Sequence, residues 1–413
     1  MMLPLLCSAL MMVLVGATPG ENWPAFRGDG TSVTDAQQLP LTWSDTENVA
    51  WSVEIPGYGQ SSPVTWGDRV FVTSTSGEEK ETVIVSAFAA ETGARLWSKE
   101  FPATQKVAKV SDYVSRGAPT PVVDADRVYA FFESGELLAL THAGEPVWQR
   151  SLVKEYGEFK GNHGVGGSLA ATNDSVLVLV DHSGPSYLLS VNKTTGENLW
   201  KVDRESKTSW STPALRTTGD AGEIVISSNG TVDGYNPATG EKVWWVTGVD
   251  GNTINSPTCV GDLILIGSSK AKQSFAVATG GQGDVTETGV KWRAGEATSS
   301  FGSPLLAGGV AYFVSKAGVL YAVDAITGEA LWNERISDSC WASPIAAGDR
   351  VYFFLKGGTT LVYRVGTEKE RIAENPLTVG EQDRIYGVAA IHGAFLVRTG
   401  SQLRKISLPV VAK

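Results

Sequence analysis

The chain is poor in the side chains that most metal, heme and disulfide chemistry requires. Its 413 residues hold three cysteines, four histidines and four methionines. The histidines (His142, His163, His182, His392) show no metal-ligand spacing, and no Cys-x-x-Cys-His run is present, so neither a zinc site nor a c-type heme is expected. Cys7 falls in the apolar leader and follows bulky Leu6, which is not a lipidation context. Cys259 and Cys340 remain. Spacing leaves open whether they pair, and two small buried residues are the simpler expectation. Clusters of lysine and arginine are missing too, and the formal charge is −10, which argues against a nucleic-acid partner. There is no Gly-x-Ser-x-Gly elbow and no phosphate loop. After Met1–Ala17, "MMLPLLCSALMMVLVGA", no apolar run is long enough to cross a bilayer. That first run is short and ends in Val15-Gly16-Ala17, and it reads as a signal peptide over residues 1–17. A secreted or periplasmic mature chain is the consequence.

Glycine and tryptophan, in contrast, are plentiful at 46 and 13 residues. They recur together. "ETGARLW" ends at Trp97, "HAGEPVW" at Trp148, "TTGENLW" at Trp200, "ATGEKVW" at Trp244 and "ITGEALW" at Trp332, at intervals of about 40 to 50 residues. A second element recurs in step with the first. It is a Ser/Thr-Pro-type segment leading through a tight turn into a β-branched and aromatic run, as in "SSPVTWGDRVFVT" from Ser61 and "ASPIAAGDRVYFF" from Ala342. Eight copies are present, the last being the degenerate "YGVAAIHGAFLVR" from Tyr386.

Each copy supplies four strand signals. Proline cannot donate to a ladder, so the Ser-Pro strand belongs at a sheet edge, and the tight axis of a propeller provides one. The tryptophan strand lies outermost, where an indole of about 200 Å² can wedge between neighbouring sheets. The last copy ends after three strands at "SQLRKISL", while "ENVAWSVEI", residues 47–55, carries a tryptophan before any Ser-Pro strand. The spacing therefore predicts an all-β, eight-bladed propeller of four-stranded antiparallel blades over 47–413, closed by its N-terminal strand and preceded by an extension over 18–46. Trp51, Trp97, Trp148, Trp200, Trp244, Trp292 and Trp332 are expected to dock one blade on the next. The shortened "TGVKW" near Thr288 and the tryptophan-free "RVGTEKERI" from Arg364 predict looser contacts.

The pattern A-x-(D/N)-x-x-T-G-x-x-x-W, read here as "AVDAITGEALW", "SVNKTTGENLW" and "GYNPATGEKVW", resembles the docking repeat of the quinoprotein-like (PQQ-repeat) propellers. "NWPAFRGDGTS" from Asn22 resembles the start of secreted bacterial proteins carrying such repeats. The resemblance implies the propeller fold across the mature chain. It implies one of two activities: a non-enzymatic scaffold for envelope or secreted protein partners, as in the propeller lipoprotein of outer-membrane assembly, or an alcohol or sugar oxidoreductase using pyrroloquinoline quinone (PQQ) and calcium. Those dehydrogenases are longer, and many carry a vicinal cysteine pair that is missing here. A calcium site would need carboxylates, and the mouth loops offer Asp112, Glu158, Asp338 and Asp383 without a recognisable constellation. The expectation is therefore no cofactor, no metal and no catalytic residue.

Function must be sought in a site rather than in the fold. Loops entering the eight Ser-Pro strands converge on one mouth of the channel. They bring Tyr58, Gln60, Tyr113, Arg116, His163, Trp210, Asn255, Phe301, Trp341, Arg384 and Tyr386 there as candidate ligand-binding residues. Such a mixture of rings, amides and cations suits a small ligand or carbohydrate as a further alternative.

Overall fold

The computed structural model describes residues 22–106, 113, 115–216 and 222–409. The expected signal peptide and Asp112 lie outside them. The described residues form eight sheets around a central channel, with a single short helix, Leu152–Tyr156. Blade 1 shows the plan: Val64–Trp66 innermost, then Arg69–Ser76, Thr82–Ala89 and Arg95–Pro102 outermost, all antiparallel. Blades 2 to 7 repeat it over 122–151, 170–204, 214–247, 258–293, 305–335 and 345–375. The second and third strands are buried on both faces, as in Arg69–Ser76 and Ser175–Val180, because each blade is covered by its two neighbours. The outermost strands are more exposed, and in Val49–Glu54 every second residue is half-buried.

Blade 8 is built from both ends of the chain. Gly387–Ile391, Ala394–Arg398 and Gln402–Ser407 are joined by Val49–Glu54, which runs antiparallel with Trp51 opposite Lys405 and Val53 opposite Leu403. The predicted closure is present, and it leaves no sheet missing its outer strand.

The docking repeat has a local physical logic. The Asp or Asn side chain fixes the turn between the two outer strands: Asp324 Oδ1 accepts from Ile326 and Thr327 N–H at 2.9 and 2.8 Å, and Asn192 Oδ1 from Thr194 and Thr195 N–H at 2.8 and 3.0 Å. The following glycine makes the turn and also leaves a flat floor for the indole of the preceding blade. At Gly240, with φ of +73°, a Cβ would stand 2.5 Å from Trp200 Cε3. The indole N–H then donates to a carbonyl of the same turn: Trp97 to His142 O at 2.9 Å, Trp148 to Lys193 O at 2.9 Å, Trp200 to Pro237 O at 3.0 Å and Trp292 to Ala325 O at 2.9 Å. Trp51 joins blade 8 to blade 1 in the same way, through Ala90 O at 3.3 Å.

Two tryptophans depart from this scheme, where the sequence pattern itself breaks. Trp244 is fully buried against its own sheet and donates to Glu223. The next turn, in blade 5, is replaced by an excursion whose Gly283–Asp284 runs parallel to Trp244 and Trp245, so the usual glycine floor is not offered. Trp332 faces the tryptophan-free repeat and stacks on Tyr363 instead, with centroids 5.6 Å apart and rings 22° from parallel.

Residues 22–46 cross the base of the channel. Trp23 O accepts from Thr65 N–H in blade 1 and Pro24 O from Val123 N–H in blade 2, each at 2.8 Å. Arg27 is fully enclosed and donates to Pro257 O at 3.0 Å, to Thr258 Oγ1 at 2.5 Å and to Pro304 O at 3.2 Å on the inner strands of blades 5 and 6. Burial among carbonyls rather than carboxylates pushes its pKa down to about 10. Val33–Thr34 then adds a parallel strand inside blade 7, and Trp43 packs between blades 7 and 8 against Tyr352, Phe354 and Phe395.

The dual role of the docking glycine is testable. Gly240→Ala should combine left-handed strain with overlap on Trp200 and cost about 2–4 kcal/mol. Gly348→Ala has φ of +57° with nothing near its Cβ, and should cost only about 1 kcal/mol. Equal losses in urea unfolding would show that the indole does not rest on the glycine.

Candidate functional site: the axial funnel

Two residues before the innermost strand of each of the first seven blades stands a Ser or Thr, followed by proline in all but the third. In the structure these hydroxyls form a belt around the axis. The N–H of Ser62 donates to Thr120 Oγ1 at 2.9 Å, Thr120 to Ser168 at 3.0 Å, Ser168 to Thr212 at 3.0 Å, Thr212 to Ser256 at 2.9 Å, Ser256 to Ser303 at 3.0 Å and Ser303 to Ser343 at 3.0 Å. Each blade thus hands its innermost amide to the hydroxyl of the next. The relay stops at blade 8, where the position is Gly387. A Cβ at Gly387 would overlap Ser62, so the two backbones meet directly. Arg398 lies fully buried beside that seam, donating to Thr73 O at 3.0 Å and Thr399 O at 3.0 Å. Burial pushes its pKa down to about 9.

Above the belt opens a funnel of about 680 Å³. Of the eleven residues expected at this mouth, Gln60, Tyr113, His163, Trp210, Phe301, Trp341 and Tyr386 line it together. Tyr113 stacks on Phe301 at 6.2 Å and 6°. Phe301 meets Trp341 at 5.2 Å, and Trp341 meets Tyr386 at 5.6 Å, giving a continuous aromatic wall. Trp210 stands elsewhere on the lining with His163 edge-on at 5.7 Å, its indole N–H donating to Gly164 O at 2.8 Å.

The other four serve the frame. The Tyr58 and Tyr386 hydroxyls share a hydrogen bond at 2.8 Å, and burial holds the Tyr58 phenol well above the ordinary range. Arg116 stacks over the Tyr58 ring at 5.0 Å. Asn255 is buried and ties blade 5 to Gly302 O at 2.8 Å. Arg384 donates to Glu381 O and Asp383 O within its own loop, at 2.8 and 2.5 Å.

Sequence reasoning missed Phe26, Lys270, Lys316 and Ser115 of the lining. Phe26 borders both the funnel and a second cavity of about 710 Å³ on the far side, so it forms the floor. Lys270 and Lys316 bring two exposed ammonium groups to the mouth, with the Lys316 ammonium 5.6 Å from the Tyr113 ring centre. Ser115 Oγ and Trp341 Nε1 are buried there without a hydrogen-bond partner among the described residues. Lys270 and Lys316 come from loops between second and third strands and Phe26 from the leader, where the repeat imposes no residue type, while Ser115 lies in the loop entering blade 2, next to the expected Arg116.

The described lining contains no aspartate or glutamate. Asp383 accepts from Thr399 and Ser401 at 3.1 and 2.5 Å, Asp338 pairs with Lys356 at 3.1 Å, and Glu158 is exposed. Calcium demands carboxylate and carbonyl oxygens, so this donor set does not fit a calcium-supported quinone. The arrangement can stack flat rings and donate hydrogen bonds.

An eight-bladed ring of tryptophan-docked sheets with an axial funnel is the architecture of the quinoprotein-type propellers. A family model described as outer membrane protein assembly factor BamB matches residues 15–162 and 184–401, and the chain belongs to that family of PQQ-repeat propellers. It is 26% identical over 238 residues to the outer membrane protein assembly factor BamB of Shewanella oneidensis, an alignment covering 55% of this chain and 59% of that protein's length. Among solved structures it is similar to BamB from Moraxella catarrhalis, with TM-score 0.63, 15% identity and coverage of 88% of this chain and 98% of that one. It is also similar to the quinohemoprotein alcohol dehydrogenase of Comamonas testosteroni, with TM-score 0.70, 12% identity and coverage of 97% and 83%. At these identities the solved structures speak for the fold alone.

The belt gives a direct expectation. Thr212→Val keeps the shape but strips the acceptor from the buried Ser168 N–H, and should cost about 1–3 kcal/mol. Thr212→Ser should be close to neutral. Indistinguishable urea midpoints for the two variants would remove the hydroxyl's structural role.

Proposed function

We propose that this chain is a non-enzymatic scaffold of the periplasm or cell exterior that binds envelope proteins and takes part in outer-membrane protein assembly. The observation that carries this reading is the family match, which extends through both halves of the propeller. The funnel chemistry is consistent with it: the described lining holds stacking rings, hydroxyls and ammonium groups, with no carboxylate to hold calcium or act as a base. Residues 1–17 act as the export signal in this account. Among the described residues no helix is long and apolar enough to cross a membrane. A protein partner would engage the outermost strands or the rim loops, where strand addition is open to it.

The test is a deletion strain of the source organism. Folded outer-membrane β-barrels, followed by their heat-modifiable mobility on gels, should fall when the chain is removed and recover when it is restored. Unchanged barrel levels, together with dye reduction by the purified chain on adding PQQ, calcium and an alcohol, would replace this reading with the oxidoreductase.

A further inference from the structure

The funnel has a polarity that the scaffold reading does not use. It is a blind cup: the belt of hydroxyls narrows it, Phe26 floors it, and residues 22–34 seal the channel beneath, with Arg27 enclosed between blades 5 and 6. Six of the belt hydroxyls, Thr120 to Ser343, already accept a backbone N–H from the blade before. Among the described residues none of them is found donating its own hydrogen to the protein. Ser115 Oγ, more than nine-tenths buried, and the Trp341 indole N–H add two further polar groups without partners. Lys270 and Lys316 take part in no ion pair among the described residues, yet they stand at the mouth of a cavity whose described lining holds no carboxylate, in a chain of net charge −10. Positive charge and unused donors therefore concentrate at one place in an acidic molecule.

That set selects among ligands. Among the described residues a cation meets two ammonium groups and no counter-charge. A neutral sugar can use the belt hydroxyls, each of which keeps a second lone pair as well as its hydrogen, but it leaves both ammonium groups without a counter-charge. A carboxylate satisfies both the ammonium groups and the free O–H and N–H hydrogens. The wall of Tyr113, Phe301, Trp341 and Tyr386, with successive centroids 5.2 to 6.2 Å apart, offers a flat apolar face to whatever carries it. We propose that the funnel binds a carboxylate carried on a ring-bearing apolar body. Two sources share that chemistry: a free aromatic acid, or the C-terminal end of a peptide that closes with an aromatic residue. A cup closed at its base admits a chain end or a small molecule, and excludes a chain threading through.

The experiment is isothermal titration of the full mature chain at low salt with N-acetylphenylalanine, N-acetylphenylalaninamide and a tetrapeptide ending in phenylalanine with a free carboxylate. The acid should bind at least about tenfold more tightly than the amide. The double variant Lys270→Ala/Lys316→Ala should lose about tenfold or more for the acid while keeping its thermal midpoint, since both side chains are exposed in loops. Tighter binding of the tetrapeptide than of the single residue assigns the site to chain ends, and equal binding assigns it to a free acid. Equal affinity for acid and amide, no binding of either, or full binding by the double variant would overturn the proposal. The titration stands whether or not the scaffold role survives the deletion test, because it reads the isolated chain.

Discussion

The constraint that organises this molecule is the fate of the amides at its axis. The innermost strand of each blade except the seventh, where Val33–Thr34 is added, has one neighbour in its own sheet and an open edge toward the channel. A backbone N–H left there in a nearly dry interior would cost about 1–3 kcal/mol. The proline after each Ser/Thr, present in six of the seven hydroxyl-bearing repeats, removes one donor from the problem. The hydroxyl before it removes the next, by accepting the N–H of the adjacent blade at 2.9 to 3.0 Å. Neighbouring blades are thereby fixed to one another at the axis by a directional bond as well as by apolar packing. A ring of eight must also have one seam, and it falls where the chain ends meet: Gly387 lets blade 8 approach Ser62 directly, with Arg398 filling the space behind it.

At the rim the same neighbours are joined by a different device. An indole lies on the bare glycine of the next turn and gives its N–H to a carbonyl of that turn. Hydroxyl at the hub and indole at the rim together set the angle between blades from two radii. Where the turn changes the rim bond is lost, as at Trp244, or replaced by ring stacking, as at Trp332 on Tyr363. The ring survives both changes because the hub relay is unbroken through blades 4 to 7.

Much of this architecture was readable in the sequence, because repetition amplifies weak signals. Eight copies of the Ser/Thr-Pro-type segment, in step with five of a glycine four residues before a tryptophan, set the blade count, and the missing fourth strand of the last copy pointed to residues 47–55. The belt was present in the same letters, but they mark only an edge strand at the axis. Its hydrogen bonds run between blades about 45 residues apart, and a motif cannot show what its copy in the next blade does for it. At the funnel, Trp341 and Phe301 were legible because they occupy a fixed place before the Ser-Pro strand. Asn255 and Arg384 hold the same kind of place but turn to their own frame, a choice made by packing. Phe26, Lys270 and Lys316 come from segments outside the repeat, and nothing in their spacing marked them.

A sealed funnel of donors and rings above a continuous hub thus follows from one repeated answer to one polar problem. Residue-resolved amide hydrogen exchange on the native chain tests it most directly. The amides of Ser62, Thr120, Ser168, Thr212, Ser256 and Ser303 should exchange only through global unfolding, as slowly as those of the buried second strands. Fast exchange at these six positions, with the second strands still protected, would contradict the account.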